Sequence, residues 1–475
     1  METTTILFGL ALIFGLYMAW SIGANDAANA LGTSVGSGAL TLRNAVILGG
    51  ILEFSGAFLV GSHVSETVQK GIVVADVFTN SPMEMVYGMC AALLTAGAWL
   101  QVASHFGWPV STTHSIVGSL VGFGLVAGGY HAIYWDKLGY IALSWVVSPL
   151  LSGVLSYSIF SLIRNKIFFS SSPIKEAKKL TPILVFVVSL ILFLVLLFKG
   201  LKNLNLSLSL STSLVASAGI SLILSALTYL YIRNKEWGES PYRAKNVKNH
   251  WALYSLQRTV KHLYRLKSSS KGELYNKSSS MLKEAEELQN SVQREVIDIE
   301  DKHSEHAVIE KLFSFLQILS ACLMAFAHGA NDVANAIGPL AAILDVLENG
   351  SVSATAYVPT WILACGGVGI VIGLATYGWK VIETIGKKIT ELTPTRGFAA
   401  ELGAASTILF ASKLGLPISS THSLVGAVLG VGFARGIRAI NLTVVKNIVF
   451  AWLITIPVGA STTIIFYYLL RTIFN

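Results

Sequence analysis

Two short phrases hold the residues best suited to chemistry. They are Gly23-Ala24-Asn25-Asp26-Ala27-Ala28-Asn29-Ala30 and Gly329-Ala330-Asn331-Asp332-Val333-Ala334-Asn335-Ala336. Each closes a long apolar run, Ile6 to Ile22 and Phe313 to Ala327. An aspartate at the centre of a membrane helix costs roughly 2.5–3.5 kcal/mol, so a chain that carries this cost twice is expected to use it. On a helix, residues three and four apart share a face. Asn25, Asp26 and Asn29 therefore converge, as do Asn331, Asp332 and Asn335. Carboxylate and amide oxygens are hard ligands suited to a small cation such as Na⁺, and these six residues are the candidate Na⁺ ligands. For one copy alone a polar contact between packed helices is the lesser reading. The matched pair favours a site.

A second motif is also written twice. Pro109-Val110-Ser111-Thr112-Thr113-His114 recurs as Pro417-Ile418-Ser419-Ser420-Thr421-His422. Proline opens a helix, and serine or threonine caps its first turn. A helix start offers free N–H groups and about half a positive charge, which together suit an anion. Two such starts could grip a tetrahedral oxyanion from both sides. Ser111, Thr112, Thr113, Ser419, Ser420 and Thr421 are the candidate anion-binding residues. Neither motif contains Arg or Lys, which suits an anion that must be released again. Ordinary capping of two buried helices is the plainer alternative.

Charge links the motifs. Asp26 and Asp332 bring two negative charges, and a phosphate dianion would add two more. In a low-dielectric site such a cluster repels itself strongly. Bound cations would offset it, making cation and anion binding mutually dependent, which is symport by linkage. Glu53 and Glu401 are further carboxylates in apolar surroundings, readable as a cation site, a proton site or half of a structural hydrogen bond. His114 and His422 could titrate with the substrate, but a structural histidine is at least as well supported. His328 stands where Ile22 stands in the first half, which breaks the symmetry and makes it a weaker candidate for a proton or substrate contact.

The elements that position these groups must be membrane helices. The chain has 475 residues, 53% hydrophobic and only 13% charged, and a mean hydropathy of +0.63. Soluble domains carry about 25% charged residues. Spanning-length apolar stretches without two-residue alternation point to helices rather than a β-barrel. The net charge of +8 reads as membrane topology rather than nucleic-acid binding. Cys90, Cys322 and Cys365 lie scattered in apolar runs and read as packing residues. The first apolar run has no basic residues before it and reads as a retained helix. Leu31 to Leu40, rich in Gly and Ser, predicts a helix that breaks inside the membrane.

The expected organisation is a first membrane repeat over 1–163, scaffold spans over 164–232, a helical loop over 233–311 and a second membrane repeat over 312–475. The loop is basic in its first part, with Arg243, Lys245, Lys248, Arg258, Lys261, Arg265 and Lys267, and then acidic, with Glu284, Glu286, Glu287, Glu295, Asp298, Glu300 and Asp301. The basic patch at Arg164, Lys166, Lys175, Lys178 and Lys179 lies two spans before the basic part of the loop. Both therefore face one side, which the positive-inside rule makes cytoplasmic. An outside N-terminus is then allowed. Gly49-Gly50, Gly56, Gly61 and Glu66-Thr67 recur as Gly366-Gly367, Gly373, Gly378 and Glu383-Thr384. Gly118, Gly122 and Gly124 recur as Gly426, Gly430 and Gly432. With opposite starting sides the repeats are inverted, the usual plan of a secondary transporter with its site at the midplane.

These duplicated phrases resemble those of the inorganic phosphate transporter family (PiT, also called Pho4). Its hallmark Gly-Ala-Asn-Asp-Val-Ala-Asn-Ala is matched in full at Gly329 to Ala336, and the first copy differs only at Ala27. The Pro-x-Ser-x-Thr-His phrase is similar too. The resemblance implies an all-α membrane protein of about twelve helices with broken half-helices at the midplane, often a dimer, that takes up phosphate with Na⁺ or H⁺ in the cell membrane. It also implies cation sites at the six Asn and Asp residues, phosphate contacts at Ser111 to Thr113 and Ser419 to Thr421, and transport roles for Glu53 and Glu401. Na⁺-coupled phosphate symport is the leading expectation. An H⁺-coupled or sulfate-carrying relative is the first alternative. A membrane-embedded hydrolase is the second, disfavoured because an enzyme has little use for two equivalent copies of its site.

Overall fold

The computed structural model describes residues 2–62, 71–198, 208–234, 243–297, 305–352, 358–387, 389–436 and 439–474. The expected Glu66-Thr67 repeat match, and Asp298, Glu300 and Asp301 of the loop, lie outside them.

The chain is a helical membrane protein. Helix α1 (Glu2–Ile22) passes through one π-turn at Gly23–Ala27 into α2 (Ala28–Gly36), and α3 is Leu42–Val60. Then come α4 (Pro82–His105), α5 (Thr112–Gly128) and α6 (Trp135–Ile163). A hairpin, α7 (Pro173–Phe198) and α8 (Leu210–Asn234), leads to α9 (Arg243–Ser269) and α10 (Glu273–Ile297), which pack on each other. The second half replays the first as α11 (Glu305–Asp332), α12 (Ala334–Asn349), α13 (Thr360–Tyr377), α14 (Trp379–Lys387), α15 (Pro394–Lys413), α16 (Ser420–Arg435) and α17 (Leu442–Phe474). Among the described residues nine stretches are long and apolar enough to cross a membrane, counting α1–α2 and α11–α12 once each. The shorter or more polar α5, α15 and α16, largely buried, bring the number to the twelve expected. Large apolar side chains on α6 and α17 point outward, with Leu150 65% and Leu453 69% exposed. That is the surface a bilayer covers.

The predicted break falls within Leu31 to Leu40: α2 ends at Gly36 and the chain turns before α3 begins at Leu42. A second irregularity falls on the Asn-Asp phrases themselves. The first phrase is the π-turn, and the second is interrupted at Val333 between α11 and α12. The small residues serve packing as well. A Cβ on Gly36 would lie 2.2 Å from the Gly386 carbonyl oxygen, so α2 and α14 meet backbone to backbone. The chain turns at Gly38, with φ +79°.

The two halves exchange partners. Helix α6 packs on α15 and α16, while its counterpart α17 packs on α4 and α5. Likewise α11 lies on α3, and α1 lies on α13. Close approach at Gly122, whose Cβ would sit 2.4 Å from Ala460 O, is repeated at Gly430, 2.1 Å from Gly153 O. The hairpin α7–α8 has no counterpart in the duplication and packs against α11.

Candidate ion-binding site

The duplicated phrases meet in the middle of this exchange. Helices α5 and α16 are capped as the Ser-Thr phrases predict: Ser111 Oγ accepts from His114 N at 3.2 Å and Ser419 Oγ from His422 N at 3.1 Å. Both starts follow a tight turn with a positive-φ glycine, Gly107 at +66° and Gly415 at +69°. Capping occupies one early N–H of each helix and leaves others outside the helical ladder.

The amides of Asn25 and Asn331 hold these turns. Asn25 Nδ2 donates to Ser104 Oγ and Trp108 O, both at 3.0 Å, and its Oδ1 accepts from Val110 N at 3.3 Å. Asn331 Nδ2 donates to Ile418 O at 3.2 Å, and its Oδ1 accepts from Ser412 at 3.3 Å. The cross-links between motifs are also paired. Thr113 donates to Ile418 O at 3.1 Å and Thr421 lies 3.1 Å from Val110 O. Ser104 and Ser412 were not singled out from the sequence, although they stand at matching places before the two Pro motifs.

The two carboxylates converge on one hydroxyl. Thr112 Oγ1 lies 2.7 Å from Asp26 Oδ2 and 3.1 Å from Asp332 Oδ1, and can donate to only one of them. Asp26 Oδ1 accepts from Thr421 and, at 3.0 Å, from Asn29 Nδ2. Asp332 Oδ1 accepts from Asn335 Nδ2 at 3.1 Å. Ligand atoms of Asp26, His328 and Asp332 all lie within 4.8 Å of one another, and all three residues are buried. Two like charges about 5 Å apart repel by about 3 kcal/mol at an effective dielectric of 20. A cation between them removes that penalty. Asn29 Oδ1, buried beside Asp26, makes no hydrogen bond, so its lone pairs are free for an ion.

Beyond this centre the halves differ. His328 Nδ1 lies 2.7 Å from Glu53 Oε2, and His328 Nε2 lies 3.2 Å from Asp332 Oδ2. The residue read as the weaker candidate therefore bridges a predicted transport carboxylate to the site. Glu401 stands apart from the centre in a cage of donors. Its Oε1 accepts from Thr33 at 2.7 Å, Ser34 at 2.5 Å and Gln317 at 3.1 Å, and its Oε2 from Ser320 at 2.5 Å. This cage ties α2 to α11 and α15. Only Gln317, a lone amide in an apolar run, hinted at it in the sequence. His114 and His422 fit the structural reading. Their Nδ1 atoms lie 3.5 and 3.2 Å from Trp452 O and Trp145 O; the His114 ring packs tilted against Trp145 and the His422 ring stacks on Trp452, with centroids 3.9 and 3.6 Å apart.

A bundle of exchanged helices, with two capped helix starts facing a pair of buried aspartates, defines a polytopic secondary transporter rather than an enzyme. The comparisons agree. A profile of the phosphate transporter family matches residues 22–463. The "Inorganic phosphate transporter 2-1, chloroplastic" of Arabidopsis thaliana is 45% identical over 479 residues, 99% of this chain and 73% of that protein. A solved structure, "The sodium-dependent phosphate transporter", superposes with a TM-score of 0.78 at 38% identity, covering 98% of this chain and 100% of the other. The chain belongs to the phosphate transporter family.

Proposed function

We propose that this protein imports phosphate together with Na⁺, with Asp26, Asn29, Asp332 and Asn335 supplying cation ligands and the first turns of α5 and α16 holding the anion. One observation carries the reading. Both carboxylates meet at Thr112, the first residue of an anion-binding helix, so cation and anion sites share an atom. Charge neutralised at Asp26 and Asp332 is charge that no longer repels the phosphate, and the coupling is reciprocal. Asn25 and Asn331, expected as ligands, keep the turns in place, and each has a carbonyl lone pair left for an ion. Ser111 and Ser419 act chiefly through their caps. Ser420 offers a hydroxyl and the first turns offer backbone N–H groups, while the hydroxyls of Thr112, Thr113 and Thr421 already donate within the site. The solved relative's name, which specifies sodium, supports the choice of ion.

The exchanged packing supports inverted repeats that present the same site to either side in turn. The basic patches support a cytoplasmic central loop and an outside N-terminus, in the cell membrane. Association into a homodimer remains part of the reading.

H⁺ coupling is the second reading, and the bridge Glu53···His328···Asp332 favours it. Uptake of labelled phosphate into proteoliposomes separates the two. Uptake that needs an inward Na⁺ gradient at fixed pH supports Na⁺ symport. Uptake driven by a pH gradient without Na⁺ overturns it in favour of the histidine bridge. Competition by sulfate tests the anion.

A further inference from the structure

The α7–α8 hairpin leaves a groove where it meets α11. The groove has a volume of about 380 Å³, within the range of ligand pockets. Its walls are apolar: Val185 on α7, Leu224 and Leu227 on α8, Leu316 and Leu319 on α11. Its position along the helices is informative. The lining residues fall early in α7, late in α8 and early in α11, so all of them lie near the helix ends that share one membrane face.

That end is basic. Lys178 stands one turn before Thr181 and two turns before Val185, on the stripe of α7 that lines the groove. Lys311 stands one turn before Phe315 and two before Leu319, on the lining stripe of α11. Lys311 is exposed and Lys178 half-exposed. Arg233 follows the lining residues Tyr231 and Ile232 at the end of α8. An apolar slot within the bilayer, headed by lysines at its rim, matches a molecule with a hydrocarbon tail and a negative head.

We propose that the groove binds an anionic phospholipid, its acyl chain between α7, α8 and α11 and its headgroup phosphate on Lys178 and Lys311. The positive-inside reading puts this rim in the leaflet where anionic lipids are enriched. The site adjoins the transport machinery: Leu316 and Leu319 line the groove, while their neighbours Gln317 and Ser320 on the other face of α11 bond Glu401. A lipid seated here therefore presses on the helix that ends in Asp332.

The test is native mass spectrometry of the purified full chain, titrated with phosphatidylglycerol or phosphatidylcholine of matched chains. The unmodified protein is expected to retain phosphatidylglycerol in preference. At about fivefold per surface charge, the double variant K178Q/K311Q should lower that retention roughly 25-fold and erase the preference. Leu316→Trp, which fills the slot, should lower retention of both lipids. Leu319→Trp tests the same wall if the first variant fails to fold, with phosphate uptake in neutral vesicles as the folding control. Equal retention of the two lipids by the unmodified protein overturns the proposal. So does a preference that survives in K178Q/K311Q, or a disulfide between two Phe315→Cys copies, at an exposed position of the same wall, that shows the groove covered by a second chain.

Discussion

The two halves present the same residues to the shared centre and opposite surroundings behind them. By the register of the duplicated phrases, Gln317, Ser320 and His328 of α11 correspond to Ala11, Phe14 and Ile22 of α1. Glu53 corresponds to Ile370: Gly329 packs on the Glu53 carbonyl as Gly23 packs on that of Ile370. Glu401 corresponds to Leu93, and its partners Thr33 and Ser34 to Pro339 and Leu340. One side therefore backs its aspartate with a file of buried polar groups along α11. The other backs Asp26 with a close-packed apolar wall of Ala11, Ile22, Leu93 and Ile370, all fully buried. Duplication preserved the groups that meet at the centre. Divergence placed charge behind only one of them, so Asp26 and Asp332 are chemically unequal despite their matched positions.

The largest effect should come from the shared centre, where the halves are alike. Asp26→Asn and Asp332→Asn each remove one of the two carboxylates that a cation would sit between. Phosphate uptake should fall below detection in both while protein stays folded in the membrane. Normal uptake by either variant breaks the equivalence of the two phrases.

Glu401 comes next. Glu401→Leu copies the mirror residue Leu93 into a cage of four donors. Each orphaned buried polar group costs about 1–3 kcal/mol, so the variant should melt well below the unmodified protein in detergent. Glu401→Gln retains most of the bonds and should melt near it. Equal melting of the two would show that the cage adds little to stability.

The histidine bridge sharpens the comparison further. Removing one member of a buried pair costs about 3–5 kcal/mol, because the other is left uncompensated. Glu53→Ile and His328→Ile should each destabilise. The double variant rebuilds the Ile22–Ile370 side and should recover about 0.5–3 kcal/mol of the summed loss. A double-mutant cycle by thermal melting reads this directly. If the double variant also keeps Na⁺-driven uptake, the bridge serves the fold rather than coupling.

The smallest effects compare glycines. Gly122→Ala and Gly430→Ala press a methyl group into a backbone carbonyl and should each cost about 1–3 kcal/mol. Gly219→Ala meets nothing within 4 Å and should raise stability by up to about 1 kcal/mol.

By itself the sequence determined the membrane class, the duplication, the capped helix starts and the pairing of aspartates with amides. These are matters of composition, local spacing and backbone chemistry, which act over a few residues and leave a readable pattern. The tertiary structure decided which polar atoms meet. That Asn25 and Asn331 grip the turns, that Thr112 lies between both carboxylates, and that His328 reaches Glu53 depend on contacts across more than eighty positions of chain. It also decided where in Leu31 to Leu40 the helix breaks: backbone contact with α14 carries it to Gly36, and the turn follows at Gly38. Glu401 shows the limit most clearly. Its four partners all come from α2 and α11, and a buried carboxylate reveals its role only when the donors around it are known.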